Sequence, residues 1–180
     1  TNGPEHPTHY ADIDVPDASG TTLLEHSLDP QNLTVAFWKQ FYDDLDMTEQ
    51  RERGLLPFRI WQFHTAMKGF AAAGMAAEYL CAAGLMAHYV GDSCQPLHGS
   101  HLADGYSDRP TTTTRHRRGT GEEYTQPSHE GAGVHSAYET KMLDRFDAEI
   151  SAGMQQQVST ISSPLPTTGP DAAMDVIQLM

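Results

Sequence analysis

Residues 71–88 read Ala-Ala-Ala-Gly-Met-Ala-Ala-Glu-Tyr-Leu-Cys-Ala-Ala-Gly-Leu-Met-Ala-His. A stretch of Ala, Met and Leu with no proline predicts a helix that is apolar almost all round, and such a helix belongs in the centre of a core. Gly69, Gly74 and Gly84 give it small contact points. The helix is expected to end near Gly91 and Asp92, and Pro96 marks the break. His88 and Asp92 then sit at the end of a buried element, where polar groups without partners are costly. Whatever surrounds this helix has to satisfy them.

The flanking segments also read as helical. Pro30 opens a helix with Leu33, Phe37, Trp38 and Phe41 at helical spacing, running to about Leu45. Pro57 suits the first turn of another, with Phe58, Trp61, Phe63 and Met67 following to about Phe70. A helix is expected from Gly133, with Val134, Tyr138, Met142, Phe146 and Ile150 on one broad stripe, and a last one from Asp171 to Met180. Residues 1–29 read as loop, as does Ser159 to Pro170. Residues 99–132 hold five Gly, two Pro and a run of Thr, with almost no apolar residues, and read as a long inserted loop. No strand-like alternation is visible. The expectation is therefore all-α, a single multi-helix domain over 1–180 with long loops.

Charge narrows the function. A formal net charge of -13 repels nucleic acid and anionic membranes unless something inverts the field locally, as bound divalent cations would. No apolar run reaches the ~20 residues that cross a bilayer. Cys81 and Cys94, on what reads largely as one helix, lie too far apart to bridge. The chain opens on Thr1-Asn2-Gly3-Pro4 without a signal peptide, and both ends read as cuts.

The chemistry lies in histidines and carboxylates. His88 and Asp92 share a helical face at i,i+4, and so do His135 and Glu139. His98 follows Pro96, and His9 precedes Tyr10-Ala11-Asp12-Ile13-Asp14. Neutral imidazole and carboxylate are what zinc takes when thiolates are absent, and three protein ligands with one position left to water is the catalytic arrangement. A di-iron carboxylate bundle uses Glu-x-x-His instead, so it is set aside.

The segment Met86-Ala-His88-Tyr-Val-Gly-Asp92-Ser-Cys-Gln95-Pro96-Leu97-His98 resembles the His-x-x-x-Asp-x-x-x-Pro-[Leu/Met]-His signature of the zinc-dependent phospholipase C family, shared by the single-strand-specific fungal nucleases. Gly133-Val-His135-Ser-Ala-Tyr-Glu139 is similar to the family's second signature, His-x-x-x-[Glu/Asp]. Thr8-His9-Tyr10-Ala-Asp12 is similar to an earlier ligand segment. The resemblance implies a helical fold with three zinc ions. His9, His88 and Asp92 would bind one, and His98, His135 and Glu139 another. Asp92 would bridge toward a third and is the candidate catalytic residue. The family completes its sites with an amino-terminal Trp, a nearby His and an Asp, and this last is the candidate general base. In this sequence no Trp precedes Trp38 and no Asp precedes His9, so those groups are expected upstream of Thr1. His6 is the local candidate for a makeshift ligand.

The implied activity is hydrolysis of phosphate diesters, in a phospholipid headgroup or in single-stranded nucleic acid, by metal-activated water. The implied location is secreted or periplasmic. The competing reading is a non-catalytic metal-binding protein that keeps the fold without the N-terminal ligands. Arg115-His116-Arg117-Arg118 is the one basic cluster and a candidate contact for phosphate. His101 and Asp104 are candidate partners behind the ligands, Cys94 reads as a small filler, and Trp61, Phe63, Phe58 and His64 read as structural.

Overall fold

The computed structural model describes residues 5–160 and 167–180. The chain forms two compact units, the first running to His101 and taking in the last helix, the second starting at Leu102.

In the first unit, α1 (Leu23–Ser27), α2 (Val35–Asp44), α3 (Leu56–Ala72), α4 (Ala76–Ser93) and α7 (Gly169–Leu179) surround one apolar core. Threonines start three of these helices. Thr22 and Thr168 form capping boxes with Glu25 and Asp171, and the Thr34 hydroxyl accepts from the Phe37 N–H. The Thr34 cap is why α2 begins at Val35 rather than at Pro30, which stands in the turn before it. Pro57 occupies the first turn of α3 as expected. Trp38, Tyr42, Leu23, Leu56 and Ile177 are the large side chains sealed from solvent. The two polar tips among them are satisfied: Trp38 Nε1 donates to Ser27 Oγ at 3.1 Å, and Tyr42 Oη donates to the Gly54 carbonyl at 3.0 Å. Phe58, Trp61 and Phe63 pack partly buried against this core.

The expectation of a buried central helix over 71–88 is corrected. Gly74, with φ +69, ends α3 and separates it from α4. Within α4 only Ala82, Tyr89 and Ser93 are buried, and Leu80 and Leu85 are 69% and 50% exposed. α4 packs against α3 along one side, and Gly69, Gly74 and Gly84 face open space rather than a close contact, so apolar composition does not dictate how many neighbours a helix receives.

The second unit overturns the all-α expectation. Residues 99–132 are not one long loop: β1 (Tyr106–His116) and β2 (Glu123–Glu130) form a two-stranded antiparallel sheet. The ladder runs from Pro110↔His129 to His116↔Glu123, with an irregularity between Tyr106 and Pro110. The Thr run supplies β-branched residues that favour extended backbone. Gly119 and Gly121, both at positive φ, close the turn. At the other end Gly105 and Gly131 meet so closely that a Cβ on Gly105 would stand 2.1 Å from the Glu130 carbonyl oxygen. Both strands are polar, so hydrophobic alternation could not reveal them. The chain then continues through α5 (Val134–Ser136), a π-helical segment (Ala137–Met142) and α6 (Leu143–Thr160), kinked at Phe146. Of the stripe expected on this helix, Val134 and Phe146 are exposed. Of the loops expected at 1–29 and 159–170, residues 1–4 and 161–166 lie outside the described residues. The remainder includes a 3-10 turn at His6–Thr8, α1, the end of α6 and the start of α7.

Among the described residues no helix is long and apolar enough to cross a membrane.

Candidate metal centre

Two segments of the first unit converge on one point. His88 and Asp92 project from the last turns of α4, and His9 follows the 3-10 turn His6–Thr8. The loop before α3 holds the His9 segment, because Leu55 N–H donates to the Pro7 carbonyl at 2.7 Å and Leu56 N–H to the Tyr10 carbonyl at 3.1 Å. This contact requires a glycine at 54, since a Cβ there would stand 2.6 Å from both Ala11 Cα and the Tyr10 oxygen. Tyr89 is the packing surface beneath, its ring centroid 5.0 Å from that of His9 and stacked on Phe63. Tyr89 Oη and Arg59 both donate to the Glu5 carboxylate, at 3.3 and 2.8 Å.

His9 Nδ1 stands 2.8 Å from Asp92 Oδ2 and 3.2 Å from His88 Nε2, and His88 Nε2 stands 3.5 Å from Asp92 Oδ2. Ligands bonded at ~2.0 Å to a tetrahedral ion stand about 3.3 Å apart, so this triangle has the size of one face of a zinc coordination sphere. Hydrogen bonding alone satisfies it poorly. If only one ring nitrogen carries a proton, a lone pair is left facing another acceptor, and if both do, the two N–H groups stand 3.2 Å apart on a single carboxylate oxygen. A divalent cation among the three atoms satisfies them all, so the donor set fits zinc.

The other carboxylate oxygen, Asp92 Oδ1, faces His98 Nδ1 at 3.7 Å. His98 is 8% exposed, in the 3-10 turn Pro96–Gly99. Its strand of chain is clamped to the His9 segment. Ala11 N–H donates to the His98 carbonyl at 2.8 Å, and Asp14 accepts from Ser100 Oγ, the His101 N–H and His101 Nδ1. Burial alone would push the Asp14 carboxyl up, but these hydrogen bonds hold it below the usual range. Asp12, beside it, has no such relief: burial first, then the Asp14 charge, push it up to about 7 against the opposing pull of His101.

In the second unit His135 Nε2 lies 2.9 Å from Glu139 Oε1, with Glu139 inside the π-helical segment. Asp104 fixes the approach to this pair: Oδ1 accepts from the Gly133 N–H at 2.7 Å, and its carbonyl accepts from His129 Nε2. Of the two residues expected behind the ligands, His101 bonds the Asp14 carboxylate, and Asp104 bonds the Gly133 N–H and His129. His6 and His64 stand outside the candidate metal clusters among the described residues, His6 with its ring edge-on to Tyr10. The sequence reading missed the roles of Asp14, Tyr89, Glu5 and Gly54. Of these, Tyr89 lies inside the His88–His98 signature and Asp14 just after the His9 segment, while Glu5 and Gly54 carried no sequence signal.

No family model matches the chain, and no solved structure matches it. A protein of Bradyrhizobium tropiciagri called a probable serine protease is 40% identical over 198 aligned residues. The match takes in 100% of this chain and 25% of that protein, so the chain spans about a quarter of the relative's length.

Proposed function

We propose that this chain carries the metal centre of a zinc-dependent hydrolase acting on phosphate diesters. The observation that carries the reading is the triangle of His9 Nδ1, His88 Nε2 and Asp92 Oδ2, with edges of 2.8, 3.2 and 3.5 Å. It is formed by residues that also fit the signature of the zinc-dependent phospholipases C and single-strand nucleases. A zinc ion so held supplies a water acidified to a pKa of about 7 and a positive charge against a phosphoryl oxygen. The chain's own residues do the rest. His9 and His88 give neutral nitrogen ligands. Asp92 gives charge and spans from this pair toward His98. Tyr89 and the Asp14 clamp hold the rings in place. In the same proposal His98, His135 and Glu139 are assigned to a second ion, and that assignment rests on the family resemblance.

The relative's name is that of a different hydrolase. Two Ser–His–Asp groups lie among the described residues, Ser100–His101–Asp14 and Ser19–His26–Asp17. In both, serine and histidine each contact the carboxylate. A nucleophilic serine donates to the histidine instead. The metal reading therefore stands ahead of a serine mechanism within this chain.

The test is zinc titration by calorimetry, with hydrolysis assays on a phosphatidylcholine headgroup and on single-stranded DNA in zinc. Binding in wild type, lost in Asp92→Asn together with at least ~100-fold in diester hydrolysis, is the expected result. Zinc binding with no hydrolysis of either substrate leaves a metal-binding protein and ends the enzyme reading. Absence of zinc binding ends both.

A further inference from the structure

We propose that the tip of the β1–β2 hairpin is a binding surface for single-stranded nucleic acid, separate from the metal ligands. Arg115, Arg117 and Arg118 gather here in a chain whose formal net charge is -13. The ladder pairs Arg115 with Tyr124 and Thr113 with Gln126. Positions two apart in a strand share a face, so these four side chains lie on one side of the hairpin. From the turn, Arg117 comes within 5.9 Å of the Tyr124 ring centroid. A tyrosine 39% exposed thus lies across the ladder from Arg115 and within reach of the Arg117 guanidinium, with Thr113 and Gln126 next on the same face.

The acids nearby, Glu122 and Glu123, neutralise this cluster only in part. Arg117 Nε meets Glu122 at 3.5 Å and His116 meets Glu123 at 3.9 Å, with every one of these side chains at least 63% exposed. Such pairs contribute little and open readily. Arg115 and Arg118 enter no ion pair among the described residues. Arginines that track phosphates around an aromatic ring that stacks a base are the elements of single-strand binding. A bilayer is the poorer partner, since between Thr111 and Glu130 only Tyr124 offers a large apolar surface.

The experiment is fluorescence anisotropy of a labelled oligothymidylate with the whole chain in EDTA, so that binding is read without metal. Replacing Arg115, Arg117 and Arg118 by Gln together should raise Kd at least ~10-fold, and lower the slope of log K against log salt by about 2. Tyr124→Ala should raise Kd ~5-fold or more with the slope unchanged, and Tyr124→Phe should restore it. Binding should be the same in EDTA as in zinc-free buffer without chelator, which separates this surface from the metal centre. Far-UV circular dichroism confirms that each variant is folded. The proposal is overturned if wild type does not bind, or if the triple variant binds equally well. It is also overturned if the arginines affect only association with vesicles of mixed phosphatidylcholine and phosphatidylserine.

Discussion

Asp92→Asn in the presence of zinc is the sharpest test of the metal centre, because the substitution keeps the shape and one oxygen while removing the charge. Asp92 Oδ2 is shared by His9 and His88, and Oδ1 faces His98, so one residue supports three candidate ligands. A ligand that binds only the folded state stabilises it by RT ln(1 + [L]/Kd), about 2.7 kcal/mol at 100 times Kd. If loss of the carboxylate weakens zinc ~100-fold, the same zinc concentration stabilises the variant by only about 0.4 kcal/mol. For a unit of roughly 100 residues each kcal/mol moves Tm by about 4–8 °C. Zinc should therefore raise the wild-type midpoint by about 11–22 °C and that of Asp92→Asn by only about 2–3 °C. In EDTA the two proteins should melt within a few degrees of each other, since Asn can still accept from His9. Differential scanning fluorimetry across a zinc series reads all four values. Equal zinc shifts in the two proteins would refute the assignment of Asp92 as a ligand, and no shift in wild type would refute the site.

Two further outcomes follow from the same geometry. Gly54→Ala should destabilise the chain by about 1–3 kcal/mol and weaken zinc binding as well, because the new Cβ drives the backbone at Tyr10 and Ala11 away from its position beside His9; urea unfolding in EDTA with zinc calorimetry checks both, and a variant with unchanged zinc affinity would show that the His9 segment is not held from this side. Asp12, pushed up to about 7 by burial, holds a proton in the folded state that the unfolded chain releases near 4. Stability in EDTA should consequently fall as pH rises from about 4 to 7, by at most about 4 kcal/mol, and Asp12→Asn should flatten that slope.

The sequence shows the parts of this protein that depend on local spacing. His88 and Asp92 four apart on a helix, and His135 and Glu139 likewise, are legible because i,i+4 fixes a shared face. The joining of His9 to the first pair came only through a motif, since nothing local links residues 79 positions apart. Other features left no periodic trace. The hairpin is polar on both faces, so its strands carry no alternation. The exposure of α4 depends on neighbours and not on its own composition. The Asp14 clamp and the Gly54 contact are long-range fits, visible only once the backbone segments lie side by side.

The π-helical segment Ala137–Met142 has a consequence for how this chain can vary in length. A π turn is an α-helix that has absorbed one residue too many without breaking. Deleting any one residue of the six would let the helix return to α geometry. Everything on its N-terminal side, His135 included, would then rotate by about 100° relative to α6. The direction in which His135 points is thus set by a residue count as much as by residue identity. Homologous chains one residue shorter here should aim a different position at the place this histidine now occupies.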